Sequence, residues 1–432
     1  MRNAEFGMKR NSIPHAAFEG DRAGLFFLFF DLRRRGSSPW LKPGVSAALN
    51  WMSEVSVEQY HPGLEGVIAG QTAISNIEER EGLGILEYRG YRIEDLAGHV
   101  SYEETAFLLL HGDLPDANQL REFDARLRGW REIPKPLVDL LETIPAHVSH
   151  MDVLRTAVSV LSHFDPELGL PATDHAANVR KAERMIAQMA TAIALRERLS
   201  AGLPPIAAAA ELDHAANFLF MVTGKVPSAR MHQAFDASLV LYAEHELNAS
   251  TFSARVTVST LSDIASGIVA AIGALKGPLH GGASEEAWSV LESVGSPESA
   301  EGWIDLTLAR QQRIMGFGHR VYKQADPRAA ILKPYCQELS REVQEERWED
   351  IAATIEQAVV ARKKLPPNVD WPSARLYHYL GLPVRLYTPI FAMARVAGWA
   401  SHCIEQLDHN RLMRPRGRYI GPTRRRVRAT GR

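Results

Sequence analysis

NVRKAERMIAQMATAIALRERL, residues 178–199, sets Val179, Ala182, Met185, Ile186, Met189 and Ile193 on one stripe at three-to-four spacing, and Gly202 follows it. That period belongs to an amphipathic helix, and a glycine just beyond it is a stop signal. Working outward, the same period recurs over residues 151–161, 257–275 and 388–407. Ser101-Tyr102-Glu103-Glu104 reads as a capping box that opens a helix through Leu110, with Gly112 ending it. The text differs only before residue 100. Residues 63–96 alternate apolar residues with glycines, as short strands or turns do. The fold is therefore mainly α, with roughly fifteen or more helices at the usual helix length. No internal period of about 20–50 residues points to a solenoid.

At 432 residues the chain exceeds what one core comfortably serves, so two domains are expected. Glycine and proline gather at Gly277-Pro278, at Pro366-Pro367 and at Leu382-Pro383, which mark hinges or domain limits. With 46% hydrophobic and 23% charged residues the composition is that of a globular protein. The net charge of −2 hides an uneven distribution. Residues 1–51 and 411–432 together hold 17 of the 49 Lys and Arg but 4 of the 51 Asp and Glu, leaving 32 basic against 47 acidic residues between them. An acidic body argues against general nucleic-acid binding, and the run Arg424, Arg425, Arg426, Arg428 reads as a solvated tail.

No stretch approaches the roughly 18 apolar residues of a membrane span. The apolar segment 24–30 precedes its arginines, Arg33 to Arg35, which is the wrong order for a signal peptide. Residues 1–51 read as a non-core extension, with Met52 the expected true start. Cys336 and Cys403 are far apart with no zinc-like spacing, so both read as buried thiols in a reducing cytoplasm.

Three familiar motifs are excluded. His245-Glu246 begins like HExxH, but position 249 is Ala249. Gly316 and Gly318 begin like a dinucleotide fingerprint, but Val321 stands where the third glycine is needed. There is no Walker loop. What remains is a set of polar residues in runs of small ones: His245 in AEHELNAS, His280 in KGPLHGGASEEAW, His319 and Arg328 in GFGHRVYKQADPR, Asp370 in PPNVDWPSARLYHYLGLP, Arg395 in FAMARVAGW and Arg414 in MRPRGRY. Arg395 lies in an otherwise apolar helix and needs a partner, either a substrate carboxylate or an internal acid. Asp370 is a base, a helix N-cap before Ser373 or a turn residue. His147, His163 and His402 read as ordinary core or surface histidines. Three histidines, one aspartate and three arginines suit a small polycarboxylate. The imidazoles would donate to oxygens that gain charge, and the carboxylate would take a proton from carbon.

The runs GPLHGGASEEAW, GFGHRVYKQADPR, NVDWPSARLYHYLGLP and TPIFAMARVAGWASHCIEQ resemble the signature blocks of the citrate synthase family, as do GLEGVIAGQTAIS, GILEYRGYRIEDLA and LLLHGDLP. The resemblance runs in order from Gly63 to Pro422. It implies a two-domain helical homodimer: a large domain from residues 52–277 and 386–422, a small domain over 278–385, and a basic tail at 423–432. It implies Asp370 as the base toward the acetyl methyl group, His280 as donor to the thioester oxygen, and His319 as donor to the oxaloacetate ketone. His245, Arg328, Arg395 and, in the neighbouring subunit, Arg414 would hold oxaloacetate. Lys323, and less directly Arg320, would meet CoA phosphates. No metal or other cofactor is implied.

Ser284 and Trp371-Pro372 depart from residues common in the family. Residues 1–51 do not resemble the amino-terminal domain of NADH-regulated members. The rival readings are 2-methylcitrate synthase acting on propionyl-CoA, a citryl-CoA lyase, and a non-catalytic CoA-binding paralogue.

Overall fold

The computed structural model describes residues 60–426. The extension over residues 1–51, the start at Met52 and the last residues of the tail lie outside the described residues. Residues Ile68–Gly417 form one compact unit, and the described residues on either side of it, 60–67 and 418–426, fall in another. Among the described residues of the smaller unit a 3-10 turn spans Pro62–Leu64, and the Arg418 guanidinium stands 6.0 Å over the Tyr60 ring.

The larger unit starts with a three-stranded antiparallel sheet. β1 (Ser75–Arg80) pairs with β2 (Leu83–Tyr88), Ser75 opposite Tyr88 and Arg80 opposite Leu83, and β2 continues to β3 (Tyr91–Arg92). Both hairpins turn on two residues with positive φ, Glu81-Gly82 (51° and 80°) and Arg89-Gly90 (50° and 90°). That is the geometry matching the right-handed twist of the flanking strands.

Sixteen helices follow among the described residues. The first seven are α1 (Ile93–Leu96), α2 (Tyr102–His111), α3 (Ala117–Gly129), α4 (Lys135–Thr143), α5 (His150–His163), α6 (His175–Ser200) and α7 (His214–Thr223). Then come α8 (Ala229–Tyr242), α9 (Ala249–Val258), α10 (Ile264–Leu275), α11 (Ala283–Val294), α12 (Pro297–Ala309) and α13 (Pro327–Glu342). The last three are α14 (Arg347–Lys363), α15 (Asp370–Tyr379) and α16 (Tyr387–Asp408). None is long and apolar enough to cross a membrane. The expected mainly helical fold with a short amino-terminal sheet is what the chain adopts.

Local signals set most boundaries. Ser101 and Glu104 close a reciprocal capping box on α2, and Gly112 ends that helix in the left-handed region at φ 96°. The periodic stretch 257–275 is not one helix. It breaks at residues 259–263, where Leu261 has φ 65° and Asp263 caps α10 by accepting from the Ser266 N–H at 2.8 Å. Apolar spacing ran on through the break; the aspartate decided it.

α16 is the axis of the unit. Nearly all of it is buried, including Trp399, and it packs against α2, α6, α8, α9 and α10. A helix apolar on every face belongs in a core. Gly398 lets the chain after α8 come close: a Cβ there would lie 2.2 Å from Glu244 Oε2 and 2.4 Å from the Ala243 carbonyl. The helices α11 to α15 pack largely on one another, α13 and α11 on α15 and α12 on α14.

Candidate active site

α8 ends at Tyr242, and the following turn is braced from the sheet. The Tyr88 hydroxyl donates to the Glu244 carbonyl (2.8 Å), and the Ser75 hydroxyl donates to Glu244 Oε1 (2.9 Å) while accepting from the Glu246 N–H (3.1 Å). Glu246 takes a positive φ of 53°, and Asn248 caps α9. These constraints hold His245 inward. Its Nε2 is buried with no hydrogen-bond partner. Such an atom costs about 1–3 kcal/mol unless a ligand supplies the partner. Burial, then the charge of Arg328, pushes its pKa well below the usual imidazole range.

The second wall is a loop pinned to a turn. The Gly318 N–H donates to the Pro366 carbonyl (2.8 Å), the Asn368 N–H to the Gly316 carbonyl (2.9 Å), and Asn368 Nδ2 to the Gly318 carbonyl (3.0 Å). Gly316, at φ 87°, is indispensable here, because a Cβ would stand 2.8 Å from Trp371 Cε3. His319 Nδ1 accepts from the backbone N–H groups of Val321 (3.1 Å) and Tyr322 (3.2 Å). N–H groups can only donate, so Nδ1 is the acceptor and the hydrogen sits on Nε2. The ring stacks on Tyr322 and meets His245 edge-on at 5.1 Å. Burial, reinforced by Arg328, lowers the His319 pKa to about 4, so the ring is a neutral donor.

Downstream, Asp326 caps α13 and takes Arg328 in a fork, Nε at 3.0 Å and Nη2 at 2.8 Å. The same carboxylate accepts the Val369 N–H at 3.1 Å, which ties the loop to the start of α15. Asp370 is the first residue of that helix, not its cap. Its Oδ1 accepts the Tyr242 hydroxyl at 2.8 Å, and Oδ2 has no hydrogen-bond partner among the described residues. Asp370 is partly exposed, yet the protein around it desolvates it enough to push its carboxyl up to about 6, against the pull of the Tyr242 bond.

Arg395 answers the question its sequence posed. It is 1% exposed and forms no ion pair among the described residues. Nε donates to the Tyr242 carbonyl at 2.6 Å, and the guanidinium lies 4.7 Å over Phe391. Burial lowers its pKa to about 10. The internal acid is not supplied as a direct partner. His280 stands in the turn before α11, its Nε2 at 2.9 Å from the Ser250 hydroxyl, and burial lowers its pKa to about 4.

Six sequence-selected side chains are thus joined electrostatically: His245 feels Arg328, His319, Arg395 and His280, and Asp370 feels the same two arginines. Three do not join them. Arg414 is on the exposed chain after α16. Arg320 is exposed, and Lys323 Nζ bonds back to the carbonyls of His319 (3.3 Å) and Arg320 (2.6 Å). Trp371 turns away into the core, donating to Glu356 at 3.0 Å, and Ser284 is buried in α11. His402 is the core histidine expected, fully enclosed between Arg255 and Glu244. Sequence reasoning missed Tyr242, which sits on the apolar stripe of α8, and Asp326, for which Asp-Pro ahead of a helix was an available cap signal. Among the described residues no group of three or more His, Cys, Asp or Glu could hold a metal ion.

The family model described as citrate synthase, C-terminal domain, matches residues 63–416. Citrate synthase 2 of Bacillus subtilis is 45% identical over 361 residues, 83% of this chain and 95% of the relative. The 2-methylcitrate synthase of Mycobacterium tuberculosis is 42% identical over 359 residues, 83% of this chain and 90% of the relative. The citrate synthase of Thermoplasma acidophilum, solved as a ternary complex with carboxymethyl coenzyme A and oxaloacetate, superposes with a TM-score of 0.81 at 33% identity, covering 86% of this chain and 99% of that one. With that likeness spanning the whole site, the chain belongs to the citrate synthase family of acyltransferases.

Proposed function

We propose that the protein condenses acetyl-CoA with oxaloacetate and hydrolyses the citryl-CoA formed, giving citrate and CoA. The observation that carries this reading is the pairing, in one site, of a carboxyl raised toward neutrality with imidazoles held neutral. A carboxylate of that basicity suits proton removal from carbon, and neutral imidazoles suit donation to oxygens that become negative.

In this reading Asp370 Oδ2 takes a proton from the acetyl methyl carbon, the C–H electron pair becoming the enol double bond. His280 donates to the thioester oxygen as it gains charge. That role fixes a hydrogen. Nε2 of His280 faces Ser250, so Nδ1 must be the donor, and the Ser250 hydroxyl must then give its hydrogen to Nε2 rather than to Asn248 Oδ1 at 2.7 Å. The enol carbon attacks the ketone carbon of oxaloacetate, the ketone oxygen takes the hydrogen from His319 Nε2, and the proton that Asp370 drew from carbon passes through water to restore that imidazole. Arg395 and His245 hold the oxaloacetate carboxylates, with Arg328 beside them. Water then adds at the thioester carbon, the C–S bond breaks, one water hydrogen leaves on the CoA sulfur as thiol, and the other goes to solvent as the new carboxylate forms.

The finer assignments follow the same reading. Residues 278–385 act as a small domain closing on the rest, Lys323 and Arg320 face CoA phosphates once substrate draws them from their loop, and Arg414 serves the site of a second copy in a cytoplasmic homodimer. Thiol release with oxaloacetate and either acetyl-CoA or propionyl-CoA tests the reaction. A higher kcat/KM for acetyl-CoA is expected. A preference for propionyl-CoA overturns the acyl assignment, and no release from either overturns the reaction.

A further inference from the structure

One buried side chain touches both the candidate base and the candidate carboxylate-binding arginine. The Tyr242 hydroxyl donates to Asp370 Oδ1 at 2.8 Å, and its backbone carbonyl accepts Arg395 Nε at 2.6 Å. Its ring packs on Phe391 at 4.6 Å, the same ring that underlies Arg395. The hydroxyl also lies 3.0 Å from Ser373 Oγ, whose own hydrogen goes to the Val369 carbonyl at 2.7 Å. Ser373 therefore faces the phenol as an acceptor, and the single phenol hydrogen has two acceptors to choose between.

We propose that Tyr242 is a positioning residue for proton abstraction, fixing Asp370 by its hydroxyl and, through the Ser373 alternative, following the charge on that carboxyl. The proposal rests on Asp370 being the base. While Asp370 is ionised, the charge-assisted bond to Oδ1 holds the phenol hydrogen and leaves Oδ2 as the basic oxygen. When Oδ2 gains the substrate proton, the charge is gone and the hydrogen turns to Ser373. Nothing leaves or enters the phenol; only its O–H direction changes. The groups that face Asp370 are Tyr242 from α8, Ser373 on its own helix, Arg328 and Asp326 from the start of α13, and Arg395 from α16. Tyr242 is the one of these that bonds the carboxylate directly.

Tyr242→Phe keeps the ring packing and the backbone carbonyl and removes the hydroxyl alone. It is expected to lower kcat about tenfold, with the oxaloacetate KM within twofold, and to move the acidic limb of kcat upward by about one pH unit. Ser373→Ala removes the competing acceptor and is expected to move the same limb downward by a smaller step. The opposite signs separate this role from a structural one, which would move neither limb. An unshifted limb and unchanged kcat in Tyr242→Phe overturns the proposal; if that variant does not fold, an upward or absent shift in Ser373→Ala does so instead. Asp370→Asn distinguishes the underlying reading: near-native turnover there removes the base itself, whereas an inactive Asp370→Asn with an unaltered Tyr242→Phe removes only the role of Tyr242.

Discussion

Two arginines face this site from opposite walls, and the chain treats them differently. Arg328 lies in the first turn of α13 and is forked by Asp326, which also holds the Val369 N–H. Burial works against its charge, but Asp326 more than compensates, and its pKa is raised. Arg395, in the middle of α16, is just as buried and has only the Tyr242 carbonyl and the Phe391 face. Burial there wins, and the pKa falls to about 10. Both were equal candidates for substrate carboxylates by residue type. The difference is that one wall pairs its charge internally, while the other holds a charge with no carboxylate bonded to it, which the proposed reaction assigns to a substrate carboxylate.

The largest effect expected from that contrast is on stability. Asp326→Asn sets an amide against a buried guanidinium and loosens the turn before Asp370, and breaking a buried pair from one side typically costs about 3–5 kcal/mol. Arg395→Met removes a buried charge that has no carboxylate partner, so the midpoint of urea unfolding should hold or rise even though oxaloacetate binding is lost. Equal losses in the two variants would break the comparison. Next in size is Arg395→Lys. An ammonium cannot keep the Tyr242 carbonyl and also fork a carboxylate, and hydrogen bonds to charged groups are worth about 1.5–3 kcal/mol, so the oxaloacetate KM should rise roughly 10- to 100-fold. An unchanged KM would move the carboxylate to Arg328.

The same contrast separates what could be read in the sequence from what could not. Helix ends that depend on neighbours in the chain, such as the Ser101 capping box and the Gly112 stop, were legible because their physics is local. The break between α9 and α10 was not, since an unbroken apolar period overrode a single capping aspartate. The six converging side chains were found through residue type in small-residue runs. Their division of labour was hidden, because it depends on partners far away in sequence: Tyr242 lies 128 residues from Asp370 and 153 from Arg395. Tyr242 itself carried no signal, for a tyrosine on an apolar helix stripe reads as core. That reading is true of its ring and false of its hydroxyl.

The smallest effect is the most diagnostic of the two walls acting together. Asp370 must be ionised to accept a proton, and burial pushes its carboxyl up to about 6. Below that pH its ionised fraction in the free enzyme, and with it kcat/KM for acetyl-CoA, should fall about tenfold per unit. The imidazoles of His280 and His319 are lowered to about 4, so they stay neutral donors through the upper part of that fall and begin to charge only as the pH nears that value. A limb near 4 instead would assign the loss to imidazole protonation and take the base role from Asp370. On the alkaline side, burial lowers Arg395 while Asp326 holds Arg328 charged, so a loss of kcat/KM for oxaloacetate at high pH is expected from Arg395 before Arg328, and Arg395→Lys, whose ammonium gives up its proton sooner, should bring that loss to lower pH. A loss at the same pH in Arg395→Lys would take it from residue 395.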